Sequence, residues 1–262
     1  MTVTYTIGDT RDVIATIPDG SVSLIATSPP FIALRSYLPA DHPDKHAEIG
    51  SEPDPATFID TMLELTAEWG RVLAPWGSIA IELGDTYSGS SALGGDCKPD
   101  GEWTKYKRGA LADAPPVRGG SWPRAKCLAL VPQAYALSLA YGRNVLSGQP
   151  SPAGQWLVRN VITWHRPNPA VGALGDKYRP STSQIVVATR SAKRWFDLTA
   201  VRTAAQDQTQ RNTNGPQSLA QRHETPGFDV RVNANPAGAP PLDAWFDEYD
   251  GTTDTWTLTT QP

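Results

Sequence analysis

Apolar positions along the first forty residues fall into short blocks separated by turn residues. Val3, Tyr5 and Ile7 alternate with threonines, a strand pattern closed by Gly8-Asp9. Residues 11–17 carry a short helical stretch that stops at Pro18-Asp19-Gly20. Residues 22–27 (VSLIAT) are nearly continuously apolar, which suits a buried parallel strand, and they end abruptly in Ser28-Pro29-Pro30-Phe31. Two prolines remove backbone donors and forbid helix, so the chain must leave the sheet extended, with Ser28 and Phe31 at the strand's carboxyl end. In open α/β sheets, ligands bind at that edge.

Helical spacing is clearest further on. Asp54 can cap, Pro55 suits a first helical position, and Phe58, Met62, Leu65, Trp69 and Val72 recur every three to four residues. Pro75-Trp76-Gly77 is expected to break this helix before a second strand at 78–83 (SIAIEL), which runs into Gly84-Asp85-Thr86-Tyr87. Strand, helix and strand make a βαβ unit. Residues 88–126 are poor in apolar positions and read as a loop insertion. A helix is expected over 127–141, a strand over 156–164, and a hairpin from 185–189 and 194–198. Residues 201–241 are rich in Gln, Asn, Pro and Gly without periodicity, and read as a mobile arm or a partner-dependent recognition segment. The pattern therefore predicts an α/β core over 1–200 and an arm or linker over 201–262, the division within which the catalytic core is sought.

Composition narrows the class. The chain has 262 residues, 39% of them hydrophobic, and no apolar run approaches the length of a membrane helix. No membrane partner is expected, and the start MTVTYTIGD has no signal-peptide character. Cys97 and Cys127 are too few for a disulfide framework and sit in no Cys-x-x-Cys pair, so both read as free thiols. His42, His46 and His223 lack metal-ligand spacing, and no metal is expected.

Charge is unevenly spread. The formal net charge of −4 conceals eight acids against one base over 41–68, but eleven bases against five acids over 158–231. An acidic protein can still present the local cationic patches that phosphate contacts need.

A bare Ser-Pro-Pro could arise from this composition by chance, and its position at the end of a strand is what gives it weight. With that position, the stretch IGDTRDVIATIPDGSVSLIATSPPFIALRSY resembles the amino-group DNA methyltransferases, which methylate the exocyclic nitrogen of cytosine or adenine, in the permuted order that places the catalytic motif first. IGSEPDPATFIDTMLELTAEWGRVLAPWGSIAIELGDTY is similar to the helix and strand that follow the motif in that family. VRNVITWHRPNPAVGALGDKYRPSTSQIVVATRSAKRWFD is similar to its later block, where a Trp-x-Lys/Arg-Pro-Asn sequence precedes a hairpin. Two departures are visible. Phe31 stands where the family has Tyr, and Ser183-Gln184 stand where it more often has an acid.

The resemblance implies an α/β fold: an incomplete Rossmann-like methyltransferase sheet with helices on both faces and long loop insertions. It implies S-adenosylmethionine as cofactor, double-stranded DNA as partner, a flipped target base and a cytoplasmic location in a bacterium or phage-infected host. Ser28, Pro29, Pro30 and Phe31 become the catalytic residues. Ser28 Oγ and the Pro29 carbonyl would accept from the target amino group, and Phe31 would stack on the base. Cytosine N4 is favoured over adenine N6 by the Ser in TSPPF. Asp9 would face the cofactor's adenine, or else simply cap a helix. Arg35, Tyr37, Trp164 and Arg166 are candidates for DNA contact; an end-of-strand core Trp and a surface Arg are the alternative for the last two.

The family's Phe-x-Gly-x-Gly cofactor loop has no counterpart in the sequence, so a second polypeptide carrying that loop is an expected partner. Two other readings stay open. One is an inactive DNA-binding remnant or a subunit of a split methyltransferase. The other is a nucleotide-binding α/β protein in which TSPPF is only a turn.

Overall fold

The computed structural model describes residues 3–34, 36–39, 41–88, 120–124, 126–167, 178 and 180–201, together with the backbone of 244–246. The chain divides into two units, Met1–Trp195 and Phe196–Pro262. The first holds α1 (Thr10–Ala15), β1 (Val22–Thr27), α2 (Pro55–Val72), β2 (Leu73–Leu83), α3 (Val131–Tyr141), β3 (Leu157–His165) and β4 (Thr182–Thr189). In the second, Ala244–Phe246 forms a short strand, β5. No described helix is long and apolar enough to cross a membrane.

Helix α2 organises the core of the first unit. The Asp54 side chain accepts from the Thr57 amide at 3.1 Å and Pro55 fills the first position, as the sequence predicts. The stripe Phe58, Met62, Leu65, Trp69 and Val72 is buried throughout, joined by Ile59 and Leu63. Helix α3 packs against α2, where the Thr66 and Tyr135 hydroxyls meet at 2.7 Å in the otherwise apolar interface. That bond satisfies two polar groups that burial would otherwise leave costly.

The sheet of this unit is mixed, in the order β1-β2-β4-β3. Strands β1 and β2 are parallel, while β4 runs antiparallel to both β2 and β3. The βαβ unit formed by β1, α2 and β2 is therefore present. Ile79, Ile81 and Leu83 of β2 and Val186 and Ala188 of β4 are buried in the same core as the helices. Register places Ser78, Ala80 and Glu82 on the opposite face, beside Leu24 and Ala26 of β1 and Val187 and Ile185 of β4. Any helix covering that second face lies outside the described residues.

Several sequence expectations need correction. Residues 3–7 form no strand: Val3, Tyr5 and Ile7 are all exposed, and alternation alone cannot make a strand without a neighbour to bury against. Strand β1 is parallel but not buried: among the described residues it lies at the end of the sheet, and Leu24 is 57% exposed. Pro75-Trp76-Gly77 does not separate helix from strand. Instead β2 begins at once at Leu73, and the three residues sit in an irregularity between the Val22–Leu73 and Leu24–Ser78 pairs. Gly77 suits that position, because a Cβ would lie 2.7 Å from Leu73 Cδ2 and 3.1 Å from the Ala74 and Ser23 carbonyl oxygens. Residues 194–198 form no strand, and β4 finds its partners in β2 and β3. The insertion at 88–126 lies largely outside the described residues and the arm at 201–241 almost wholly so.

Candidate active site

Because β1, β2 and β3 point the same way, their carboxyl ends share one edge of the sheet with the start of β4. That edge gathers Ser28–Phe31 after β1, Glu82–Asp85 at the end of β2, Trp164 to Arg166 at the end of β3, and Ser183 on β4. Thr27 pairs with Ile81, so the next residue along each strand brings Ser28 beside Glu82. The Ser28 hydroxyl donates to Glu82 Oε2. A serine hydroxyl has one donor and two acceptor lone pairs. With its proton committed to Glu82, Ser28 is left as a pure acceptor toward anything that arrives from solvent.

The loop after Ser28 is held from below. Pro29 is buried, Ile32 is 1% exposed, and Ala33 takes a left-handed conformation at φ 54° while its amide donates to the Gly50 carbonyl at 2.8 Å. The Phe31 ring lies half-buried over Gly84. A Cβ at Gly84 would come within 2.6 Å of Phe31 Cε2, so glycine at the end of β2 is what admits the ring. Sequence reading singles out Ser28 to Phe31 and passes over Glu82 and Gly84, which the structure sets beside them. Their signal was present: Glu82 is the one charged residue in SIAIEL, at an alternate position of the strand.

Asp85 serves structure. Its carboxylate accepts from the amides of Thr86, Leu130 and Val131, at 2.9, 3.0 and 3.2 Å, and so caps α3, whose preceding residue Leu130 is left-handed and offers no side-chain cap. Burial pushes the Asp85 carboxyl up from its ordinary value, outweighing the three amides. Glu48 behaves oppositely. Its burial is outweighed by Lys45 and by the amides of Tyr37 and Leu38, and its carboxyl is held below the usual range.

The remaining candidates separate. Asp9 is a helix cap, accepting from the Arg11 amide at 2.8 Å, with Arg11 Nη1 3.5 Å from its other oxygen. Arg11 also donates to the Ala47 carbonyl at 3.0 Å, which ties Asp9 to the loop that abuts Phe31 at Gly50. Tyr37 is 60% exposed and its amide donates to Glu48. Trp164 is half-buried and pairs with Ser183 across β3 and β4, and Arg166 is exposed, its amide donating to Ser181 at 2.7 Å. Arg35 lies outside the described residues. Cys127 is a free, exposed thiol.

Comparison with known proteins decides the family. A family model described as DNA methylase, covering the N6 and N4 enzymes, matches residues 22–259. The chain belongs to this amino-group DNA methyltransferase family. Among curated relatives, the type II methyltransferase M.SfiI of Streptomyces fimbriatus is 28% identical over 196 residues, 75% of this chain and 38% of the relative. M.Cfr9I of Citrobacter freundii is 29% identical over 195 residues, 74% of this chain and 57% of the relative. M.SmaI of Serratia marcescens is 25% identical, over 77% of this chain and 60% of the relative. The chain thus spans between 38% and 60% of the length of these relatives. Among solved structures, the cytosine-N4-specific PvuII DNA methyltransferase aligns at TM-score 0.44 and 15% identity, over 74% of this chain and 51% of that one. A DNA modification methylase of Thermus thermophilus, described as putative and complexed with S-adenosyl-L-methionine, aligns at TM-score 0.37 and 17% identity, over 82% and 61% of the two chains.

Proposed function

We propose that the chain is the catalytic part of a site-specific DNA methyltransferase acting on the exocyclic amino group of a flipped base, cytosine N4 before adenine N6. The observation that carries this reading is the Ser28–Glu82 pair at the carboxyl edge of the sheet. An exocyclic amino group is a weak nucleophile because its lone pair is delocalised into the ring. Ser28 Oγ, unable to donate elsewhere, accepts from that group and draws its nitrogen toward tetrahedral geometry, with the Pro29 carbonyl as a second acceptor. As the nitrogen becomes cationic, its proton passes to Ser28 Oγ while the serine proton moves to Glu82 Oε2. Phe31, fixed by Gly84, offers the ring on which the extruded base stacks.

The cofactor of this reading, S-adenosylmethionine, supplies an electrophilic methyl group when bound. The residues present fit it in one respect: Asp9 is about half exposed, and its tie through Arg11 to the loop at Ala47 sets it on the motif's side of the sheet. Its carboxylate would hold the adenine amino group. Arg35, Tyr37, Trp164 and Arg166 would meet DNA, and residues 201–262 would form the recognition arm. This reading places the protein in the cytoplasm, with its substrate.

A second polypeptide completing the site is favoured by one observation. Among the described residues, the outer edge of β1 has no partner strand and Leu24 stands exposed beside it. Calorimetric titration of the chain with S-adenosylmethionine tests this part, and tight binding by the chain alone removes the need for a partner.

The reaction is tested by transfer of tritiated methyl groups to duplex DNA, followed by nucleoside analysis. Ser28→Ala is expected to lower kcat by about 10²- to 10³-fold. An undiminished rate in that variant would reduce TSPPF to a turn.

A further inference from the structure

The edge of the sheet opposite Ser28 carries a patch that methyl transfer does not use. It is built from the start of β2, the start of β3 and the turn after β4. Trp76 lies in the irregularity of β2 and is 52% exposed, and the Trp195 amide donates to its carbonyl at 3.0 Å, leaving Trp195 71% exposed. Arg159 sits in a second irregularity, between the Val158–Ala188 and Asn160–Val187 pairs, and is exposed. Lys193 is exposed in the turn leading to Trp195. Neither Arg159 nor Lys193 forms an ion pair among the described residues. Asp19 and Glu68, carboxylates at the same end of the sheet, are both engaged by Arg71, at 2.5 and 2.9 Å.

We propose that this patch binds single-stranded nucleic acid, with phosphates at Arg159, Lys193 and Arg194 and bases against Trp76 and Trp195. Two neighbouring tryptophans that no described residue buries are a costly feature on a surface. Cations interleaved with aromatic faces are the arrangement that takes a strand whose bases are open, since stacking tolerates any base and the phosphates supply affinity. A duplex hides its base faces, and an acidic peptide would engage the cations while leaving both indoles in water.

The test is fluorescence anisotropy of the full chain with a labelled oligothymidylate, across a range of salt. Each phosphate contact contributes about 0.7 to the salt slope for single strands, so Arg159→Ala with Lys193→Ala is expected to lower the slope by about 1.4. Trp195→Ala is expected to weaken binding about 5- to 150-fold, while Trp195→Phe keeps most of the affinity. An unchanged slope and affinity in these variants overturns the proposal, as does displacement of the oligonucleotide by polyglutamate at equal charge concentration. Methylation assays on the same variants separate the two surfaces, because the patch can fail while transfer at Ser28 survives, and the reverse.

Discussion

At the scale of single residues, the pair that matters crosses two strands. Ser28 was legible because a proline pair at a strand end is conspicuous, whereas Glu82, 54 positions away, becomes its neighbour only through the β1–β2 register. Sequence supplies alternation but not register, which is why the acid was passed over. If Glu82 both fixes the serine proton and later receives it, Glu82→Gln is expected to lower kcat by about 10²- to 10⁴-fold. The double variant with Ser28→Ala should then cost little more than the worse single one, since residues acting as a unit are not additive. Additive losses in single-turnover rates would mean that the two act separately. Gly84→Ala tests the ring seat: a methyl group 2.6 Å from Phe31 Cε2 must displace the ring or the strand, at about 1–3 kcal/mol in thermal unfolding. Normal stability and normal turnover together would show that the ring has room to move.

Elements were legible where local chemistry decides them. Helix α2 announced its cap, its first proline and its apolar stripe, and the fold uses all three. The failures at 3–7 and 194–198 share one cause: a strand is completed by a ladder of bonds to a neighbour, and among the described residues neither segment forms one, the single Trp195–Trp76 backbone bond not sufficing. The two helix caps also behave differently with pH. At Asp54, burial raises the carboxyl, but the Thr57 amide and the Ser121 hydroxyl outweigh it, so the group lies below its ordinary value of 3.8 in the folded chain. Its contribution is therefore present above that value and lost as pH falls through the folded one. Asp85 is raised instead, so the folded chain holds its proton more tightly than the unfolded chain, and stability declines as pH climbs from 3.8 through the folded value. Urea unfolding across pH 3 to 7 checks both signs. Asp54→Asn is expected to flatten the acid limb, whereas Asp85→Asn, which keeps an amide-accepting oxygen without the buried charge, is expected to gain stability relative to wild type as pH rises.

At the scale of the whole molecule, the side of the sheet that no described element covers bears on behaviour. The helices cover one face, and the core they enclose, from Phe58 to Ala188, is continuous. Among the described residues, β1 has no partner strand on its outer side and presents a row of backbone groups with Leu24 and Ala26 exposed alongside, an edge that can template pairing with another chain. Net charge offers little defence, because −4 over 262 residues is small and the acids cluster in other segments. Self-association that grows with concentration is therefore expected, measurable by light scattering or sedimentation. Leu24→Lys places a charge on the exposed face next to that edge, the device by which natural edge strands avoid pairing. It should reduce association at an almost unchanged melting temperature, because a side chain already 57% exposed contributes little to the core. If association persists undiminished in Leu24→Lys, the contact lies elsewhere, and the tryptophan patch at the amino ends of β2 and β3 becomes the next surface to vary.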